Sequence, residues 1–222
     1  LLSGLVFVAG WRFRISGPLY AAGLLWVTSY RNSWGMVFHT ENLLVLHTVV
    51  LGLSASADAW SVDARGRPSP SPSGRYGWAV VLMCLLTTLT YFLAGYAKLA
   101  HSGFAWVTSD TLRNFVAYDN VRKAELGAGY SMLGGWMVAH PSVFPPLAGV
   151  SLALELGAPL ALLHRRLGMI WAAGAWGFHL GVLVLMYILF HYPILGVAYA
   201  SFFPVEKLGR WGIERWSRMR PG

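Results

Sequence analysis

The sequence predicts an all-α fold, a polytopic integral membrane helical bundle of about six to seven transmembrane segments, the last of them broken or re-entrant. Composition supports this fold class first. Of the 222 residues, 56% are hydrophobic and 12% are charged, whereas soluble domains carry roughly 25% charged residues. The second observation is that apolar runs of about 20 residues, the length of one membrane crossing, recur between short polar connections. A water-soluble globule is therefore not expected.

Seven apolar segments, bounded by charged residues, Gly or Pro, follow one another along the chain. The first, 1–11, has half the length that a span needs, which predicts that the sequence begins inside a helix. The other six are 17–30, 35–57, 77–100, 143–163, 168–190 and 192–203. The last is short and contains Pro193, so we expect a broken or re-entrant helix there.

Two parts of unequal size follow from this pattern. Residues 1–206 are predicted to form one transmembrane domain. Residues 207–222 alternate basic and aromatic side chains, which indicates a tail that lies at the lipid–water interface. An ordinary solvated basic tail is the alternative.

The net charge of +8 raises the question of a nucleic-acid partner. The basic residues lie between and after apolar runs, however, as in the cytoplasmic loops of membrane proteins. Membrane lipids, and no nucleic acid, are therefore the expected partners. If all seven segments cross, most of the 17 Lys and Arg fall on the side of the tail, which predicts a cytoplasmic C-terminus and an outward-facing segment 101–141. This orientation depends on the short seventh segment crossing the membrane.

Several classes of chemistry have no motif in this sequence. Cys84 is the only cysteine, so neither a disulfide framework nor a cysteine-based metal site is available. The sequence contains no HExxH, no CxxC, no Gly-rich phosphate loop and no GxSxG elbow. We therefore predict no metal site, and no enzyme of the metalloprotease, nucleotide-binding or serine-hydrolase type.

Ionisable residues inside apolar runs are the candidate functional residues. A charged side chain in the hydrocarbon core costs about 2.5 to 3.5 kcal/mol, so such residues usually face the bundle interior. Lys98 closes the fourth segment, Glu155 lies within the fifth, and His39, His47 and His179 lie in the third and sixth. Structural alternatives stay open. A lysine near a helix end can extend to the headgroups, and the histidines and Glu155 can each bond to a neighbouring helix.

Three stretches in order carry a resemblance to a known family. They are WSVDA at 60–64, YFLAGYAKL at 91–99 with Trp106 and Ser109 after it, and FHLGVLVLMYILFHYP from residue 178 onward. Together they resemble the membrane domain of vitamin K-dependent gamma-carboxylase and its bacterial relatives, the horizontally transferred transmembrane (HTTM) proteins. The resemblance covers residues 39–206, and the sequence is identified as a member of this family.

The resemblance implies a cofactor and roles for individual residues. In the carboxylase this domain binds reduced vitamin K, and a lysine of the second motif deprotonates the hydroquinone; Lys98 falls on that lysine. The implied cofactor is a quinone or hydroquinone of the vitamin K or menaquinone type. His179, which opens the third motif, is the second implied catalytic residue. The implied cofactor-binding residues are Tyr91, Phe92, Tyr96, Trp106, His39 and Asn42, of which the last two lie close to an Asn-His pair of the family but displaced from it.

The leading functional hypothesis is an enzyme of the bacterial plasma membrane. It would use Lys98 as the base in quinone-coupled modification or oxidation of an extracytoplasmic substrate, such as a secreted peptide. Desolvation at the end of an apolar helix disfavours the charged ammonium form, which would allow the amine to accept a proton. The second hypothesis is a non-enzymatic membrane subunit that binds lipid or quinone and serves another membrane protein, because these residues do not include the large extracytoplasmic domain of the eukaryotic carboxylase. A transporter, the third, predicts inverted repeats that the sequence does not display.

Overall fold

The computed structural model describes residues 1–34, 40–68, 70–71 and 73–207. Within those ranges the regular elements are α-helices and short 3-10 helices, with no strand, which confirms the all-α fold class. Residues 208–222, which make up nearly all of the predicted interfacial tail, lie outside the described part. The chain divides into two compact units, Leu1–Leu86 and Thr87–Gly222.

The described residues of the first unit form three helices and the start of a fourth. These are α1 (Leu2–Ala9), α2 (Phe13–Asn32), α3 (Asn42–Leu53) and the first part of α4 (Gly74–Ser102). Helices α2 and α3 are in close contact where Gly17 faces Gly52, since a Cβ added to Gly52 would lie 2.7 Å from the Gly17 carbonyl oxygen. Small residues at a helix crossing allow the backbones to approach in this way.

The connection between α1 and α2 is closed by the loop that follows α3. The Val62 N–H donates to the Ala9 carbonyl over 2.8 Å. The Asp63 carboxylate accepts the N–H groups of Phe13, over 2.8 Å, and Arg12, over 2.9 Å, two donors that the start of α2 leaves free. These two bonds, that of Phe13 first, hold the pKa of Asp63 below its usual range.

In its described residues, 87–207, the second unit contains the remainder of α4 and the further helices α5 (Ala105–Thr108), α6 (Thr111–Glu125), α7 (Met132–Val138), α8 (Phe144–Leu156), α9 (Arg165–Met186) and α10 (His191–Ile194), with 3-10 helices at Pro141–Val143, Ala158–Leu162 and Val197–Phe202. Helix α6 bonds to the carboxyl end of α9, where Asn120 Nδ2 donates to the Leu185 carbonyl over 3.0 Å and Lys123 Nζ to that of Met186 over 2.5 Å. These bonds satisfy carbonyl groups that a helix end leaves without partners.

By length and composition, two described helices can cross a membrane, and a third crossing is present if one bent pair is counted as a single span. The two are α4 and α9. The bent pair joins α7 to the helical run Pro141–Leu156 at an angle of 103°. Two or three candidate spans are fewer than the six to seven predicted.

The predicted segments that fail as spans do so for identifiable reasons. Helix α3 has 12 residues within the described ranges, short of the roughly 20 that a bilayer requires. Helix α2 has 20 residues, but Arg14, Arg31 and several hydroxyl-bearing side chains make it too polar. The seventh segment forms the four-residue α10 and a 3-10 helix, so the orientation predicted from its crossing loses that support.

The bent pair follows α9 along most of its length. Ser131, just before α7, donates its hydroxyl to the Val184 carbonyl over 2.5 Å, near the carboxyl end of α9. Trp171, near the amino end of α9, donates its Nε1–H to the Leu154 carbonyl of α8 over 3.0 Å. Thirteen residues separate Trp171 from Val184, or about 20 Å of helix axis. These two contacts predict that the bent pair forms a single crossing; a re-entrant loop is the alternative.

Candidate functional site

An ion pair inside the second unit joins Lys98 of α4 to Glu155 of α8. The Lys98 Nζ donates to both carboxylate oxygens, over 2.5 and 2.6 Å. The Glu155 side chain is 3% exposed and that of Lys98 is 21% exposed. Gly95, one turn before Lys98, permits this approach, because a Cβ there would lie 2.8 Å from Glu155 Cβ. Two opposite charges are thus held together away from water, where neither would be stable alone.

Aromatic rings surround the amine. The Lys98 Nζ lies 5.0 Å from the ring centre of Trp106 and 5.8 Å from that of Phe178, within the range of cation–π attraction. The Trp106 Nε1 atom is buried and has no acceptor among the described residues. A buried donor without an acceptor costs about 1 to 3 kcal/mol. An oxygen atom of a bound ligand would satisfy it.

A second polar cluster lies beside the first, built from Tyr91, His179 and Tyr199. The Tyr91 hydroxyl is 2.9 Å from His179 Nδ1 and 2.5 Å from the Tyr199 hydroxyl, and all three side chains are buried. Tyr91 and Lys98 are seven residues apart on α4, which places them on one face about 10 Å apart along the axis. The Phe178 ring lies 5.8 Å from Lys98 Nζ and 6.5 Å from the Tyr91 ring. The two clusters therefore adjoin through a shared aromatic side chain.

The structure thus brings together five of the residues that the sequence singled out, and one of them, Glu155, is the partner of Lys98. Lys98 and Trp106 lie in the first cluster, and Tyr91 and His179 in the second. Lys98 pairs with a buried carboxylate and does not extend freely to the headgroups, which was the structural alternative for this residue. His179 bonds to a neighbouring helix, as the alternative for the membrane histidines described, and does so through Tyr91.

Other predicted site residues lie elsewhere. Tyr96 is 58% exposed and is two positions from Lys98, so it lies on nearly the opposite side of α4. Phe92 is about a third of a turn away from the Lys98 face and is half-buried. Asn42 is exposed at the start of α3 in the first unit. His39 lies outside the described residues.

The sequence reasoning missed one site residue, Tyr199, and one pairing, that of Glu155 with Lys98. Glu155 was recognised as a carboxylate in an apolar run, but its partner was not, because 57 positions separate it from Lys98. Tyr199 was not singled out, since a tyrosine in the run VAYASFF is indistinguishable by sequence from an interfacial aromatic residue. A search for basic residues on other apolar segments would have offered Lys98 as the partner of Glu155.

The apolar helices of spanning length and the polar clusters buried among them define the class: an integral membrane protein with a helical membrane domain. The sequence pattern of the HTTM domain matches residues 1–206, and the chain belongs to the HTTM family. This is a family of membrane domains associated with the carboxylase. Comparison with curated proteins and with solved structures found no match.

Proposed function

We propose that this protein is a quinone-dependent membrane enzyme, related to the carboxylase, in which Lys98 acts as base in the modification or oxidation of an extracytoplasmic substrate in the bacterial plasma membrane. One observation carries the proposal: a buried amine–carboxylate pair adjoins an indole N–H that has no acceptor among the described residues. When bound, a quinone or hydroquinone of the vitamin K or menaquinone type supplies the redox chemistry.

The side chains around Lys98 fit such a cofactor. Trp106 offers a buried N–H to a cofactor oxygen. The rings of Trp106 and Phe178 offer flat apolar surfaces of the kind on which aromatic ligands pack. The Lys98 Nζ lies over the Trp106 ring. A hydroxyl or carbonyl oxygen bound to the Trp106 N–H would therefore also be close to Lys98. Trp106 and Phe178 are therefore the residues that would hold the head group.

The ion pair gives Lys98 a way to accept a proton in an apolar setting. Both carboxylate oxygens of Glu155 lie within hydrogen-bond distance of Lys98 Nζ, so a proton of the ammonium group can pass to the carboxylate. When that proton lies on Glu155, the Lys98 amine has a free lone pair and can take a proton from a hydroxyl donor. Glu155 is thus the positioning residue that keeps the amine in place. His179, oriented by Tyr91, is a second acid–base group next to the pair.

The variant used in the test replaces both Lys98 and Glu155, instead of Lys98 alone. Lys98→Ala would leave Glu155 buried without its partner, at a cost of about 3 to 5 kcal/mol, which confuses loss of folding with loss of chemistry. In Lys98→Gln/Glu155→Gln, two neutral amides can bond to each other. We expect its quinol oxidation in proteoliposomes to fall at least about 100-fold, the usual contribution of a general base, while quinone retention, measured by mass spectrometry, persists.

A matched control uses another lysine–carboxylate pair of the same unit. Lys123 Nζ lies 2.6 Å from Asp119 Oδ2, with side chains 15% and 13% exposed. Asp119→Asn/Lys123→Gln removes a pair that is also largely shielded from solvent and should leave the rate per folded molecule unchanged. If Lys98→Gln/Glu155→Gln oxidises quinol at the rate of the unaltered protein, the assignment of Lys98 as base is overturned.

A second function has support from the same pair. Lys98 donates to both carboxylate oxygens of Glu155, as in a purely structural ion pair, which suits a non-enzymatic subunit that binds lipid or quinone for another membrane protein. Such a subunit would retain quinone, show no turnover in the unaltered protein and copurify with a partner. Turnover by the isolated protein would exclude this alternative.

A further inference from the structure

A cleft of about 680 Å³ in the first unit lies between the start of α2, the end of α3 and the start of α4. Its volume falls in the range of roughly 300 to 1,000 Å³ typical of small-molecule sites. Its charged lining consists of Arg12, Arg14, Arg67, Arg75, Asp58 and Asp63. This cleft has no part in the function proposed above.

The two carboxylates of the cleft are already engaged. Asp63 accepts backbone N–H groups at the start of α2, and Asp58 accepts from Arg75, over 3.2 Å, and from the Tyr76 hydroxyl, over 3.0 Å. Arg14 and Arg67 are exposed, and neither forms an ion pair within the described part of the chain. The Arg12 guanidinium lies over the Trp11 ring, so the cleft presents two further guanidinium groups, those of Arg14 and Arg67, without an ion-pair partner among the described residues.

The cleft also lies at the end of a spanning helix. Arg75 and Trp78 belong to the first two turns of α4, and the ends of a span lie at headgroup depth, where Trp is enriched. Apolar side chains form its rim: Ile15 is 62% exposed, Leu53 is 64% exposed and Trp78 is 44% exposed. Basic groups and exposed apolar side chains in one cleft match a molecule with an anionic head and hydrocarbon chains.

We propose that this cleft binds the headgroup of an anionic phospholipid, with its phosphate held by Arg14 and Arg67. Guanidinium groups bind phosphate oxygens through paired, charge-assisted hydrogen bonds. The acyl chains lie against the apolar rim. Lipid retained at this position would fix the start of α4 relative to α2, since residues of both line the cleft.

The experiment measures lipid retention by native mass spectrometry of the detergent-solubilised protein, titrated with phosphatidylglycerol or phosphatidylcholine. We expect saturable binding of phosphatidylglycerol and weaker binding of phosphatidylcholine. In Arg14→Gln/Arg67→Gln the affinity for phosphatidylglycerol should fall about thirty-fold, because each basic residue near an anionic lipid contributes about a fivefold change. Arg165→Gln/Arg166→Gln removes two exposed arginines at the start of α9 and should bind as the unaltered protein does.

Two outcomes would overturn the proposal. Equal losses in the two double variants would mean that net charge, and not this cleft, holds the lipid. Displacement of phosphatidylglycerol by an equal concentration of inorganic phosphate would assign the cleft to free phosphate and not to a lipid. Circular dichroism of each variant establishes that it is folded before binding is measured.

Discussion

The Asp63 carboxylate joins the loop that follows α3 to the connection between α1 and α2. It lies in the stretch WSVDA, one of the motifs that carry the family resemblance, and it accepts the N–H groups that begin α2. The neighbouring Val62 bonds to the end of α1. Gly10, between those helices, has a φ of 62° and lacks room for a Cβ, which would lie 2.5 Å from Ser61 Cβ. In this chain the motif therefore has a structural role.

The pKa of Asp63 makes this role dependent on pH. Bonds from Phe13 and Arg12 lower it from its ordinary value of 3.8, so the stabilisation is complete above that value and is lost as the pH falls through the lower, folded-state value. We expect Asp63→Asn to unfold at a lower temperature than the unaltered protein at pH 7, with the difference shrinking towards pH 3. Thermal unfolding in detergent, followed by circular dichroism across this pH range, measures it.

A matched control separates capping from surface charge. Asp110 precedes α6 without accepting a side-chain capping bond, and its ion pair with Arg113, at 3.5 Å, is exposed. Such pairs contribute little to stability, so Asp110→Asn should behave like the unaltered protein at every pH. A pH-independent difference between Asp63→Asn and the unaltered protein would contradict the assigned cause.

At the residue scale, the sequence identifies those ionisable side chains that lie within apolar segments. Lys98, Glu155 and His179 stand out because ionisable groups are costly in apolar helices. The contacts of these residues could not be predicted, because each partner lies on another helix. The residues of the Lys98–Glu155 and Tyr91–His179 pairs are 57 and 88 positions apart in the sequence. No local sequence pattern predicts contacts over such separations.

At the scale of helices, close packing of α7 against α9 depends on one glycine. A Cβ at Gly134 would lie 1.9 Å from the Leu185 carbonyl oxygen and 2.9 Å from Asn120 Nδ2. Gly134→Ala must therefore push α7 away from α9, and we expect a loss of about 1 to 3 kcal/mol in the free energy of unfolding, as for other overpacked sites. Equilibrium denaturation in mixed micelles measures this loss.

The adjacent glycine provides the control. Gly135 belongs to the same helix, and a Cβ there would meet nothing within 4 Å. Gly135→Ala should leave stability unchanged or raise it by up to about 1 kcal/mol, since alanine favours helix formation over glycine. Equal destabilisation by both substitutions would show that the short helix, and not its contact with α9, is sensitive to alanine.

The helices were predictable to very different extents. The apolar runs that became α4 and α9 were located within a few residues, because length and hydropathy suffice for a spanning helix. Segment 101–141 was predicted only to face outward, yet it forms α5, α6 and α7. Helix α6 is polar, and its side chains Asn120 and Lys123 bond to the end of α9. That is a tertiary contact, which hydrophobic periodicity does not reveal.

At the scale of the whole molecule, the number of crossings is the main departure from the sequence prediction. Counting apolar runs treats each as a straight helix, whereas several here are short, polar or bent. Pro141 follows the end of α7 and begins a new helical run at 103° to it, because proline interrupts a helix. The count therefore missed both the geometry of the bent pair and the polarity of α2.

The path of the bent pair gives a prediction about topology. Because its two ends lie at opposite ends of α9, residues before α7 and after α8 should face opposite sides of the membrane. In a background of Cys84→Ala, single cysteines replace Ala128, Leu163 or Leu189, all exposed. An impermeant maleimide applied to sealed vesicles of either orientation should label positions 128 and 189 from one side and position 163 from the other.

Position 189 acts as the internal reference, because it follows the carboxyl end of α9 while position 163 precedes its amino end. A re-entrant loop would return position 163 to the side of position 128, and both would then react from the same face. Because α9 would still place positions 163 and 189 on opposite sides, position 128 would then be labelled from the side opposite to position 189. The pattern of three positions thus distinguishes one bent crossing from a loop without reference to which side is cytoplasmic.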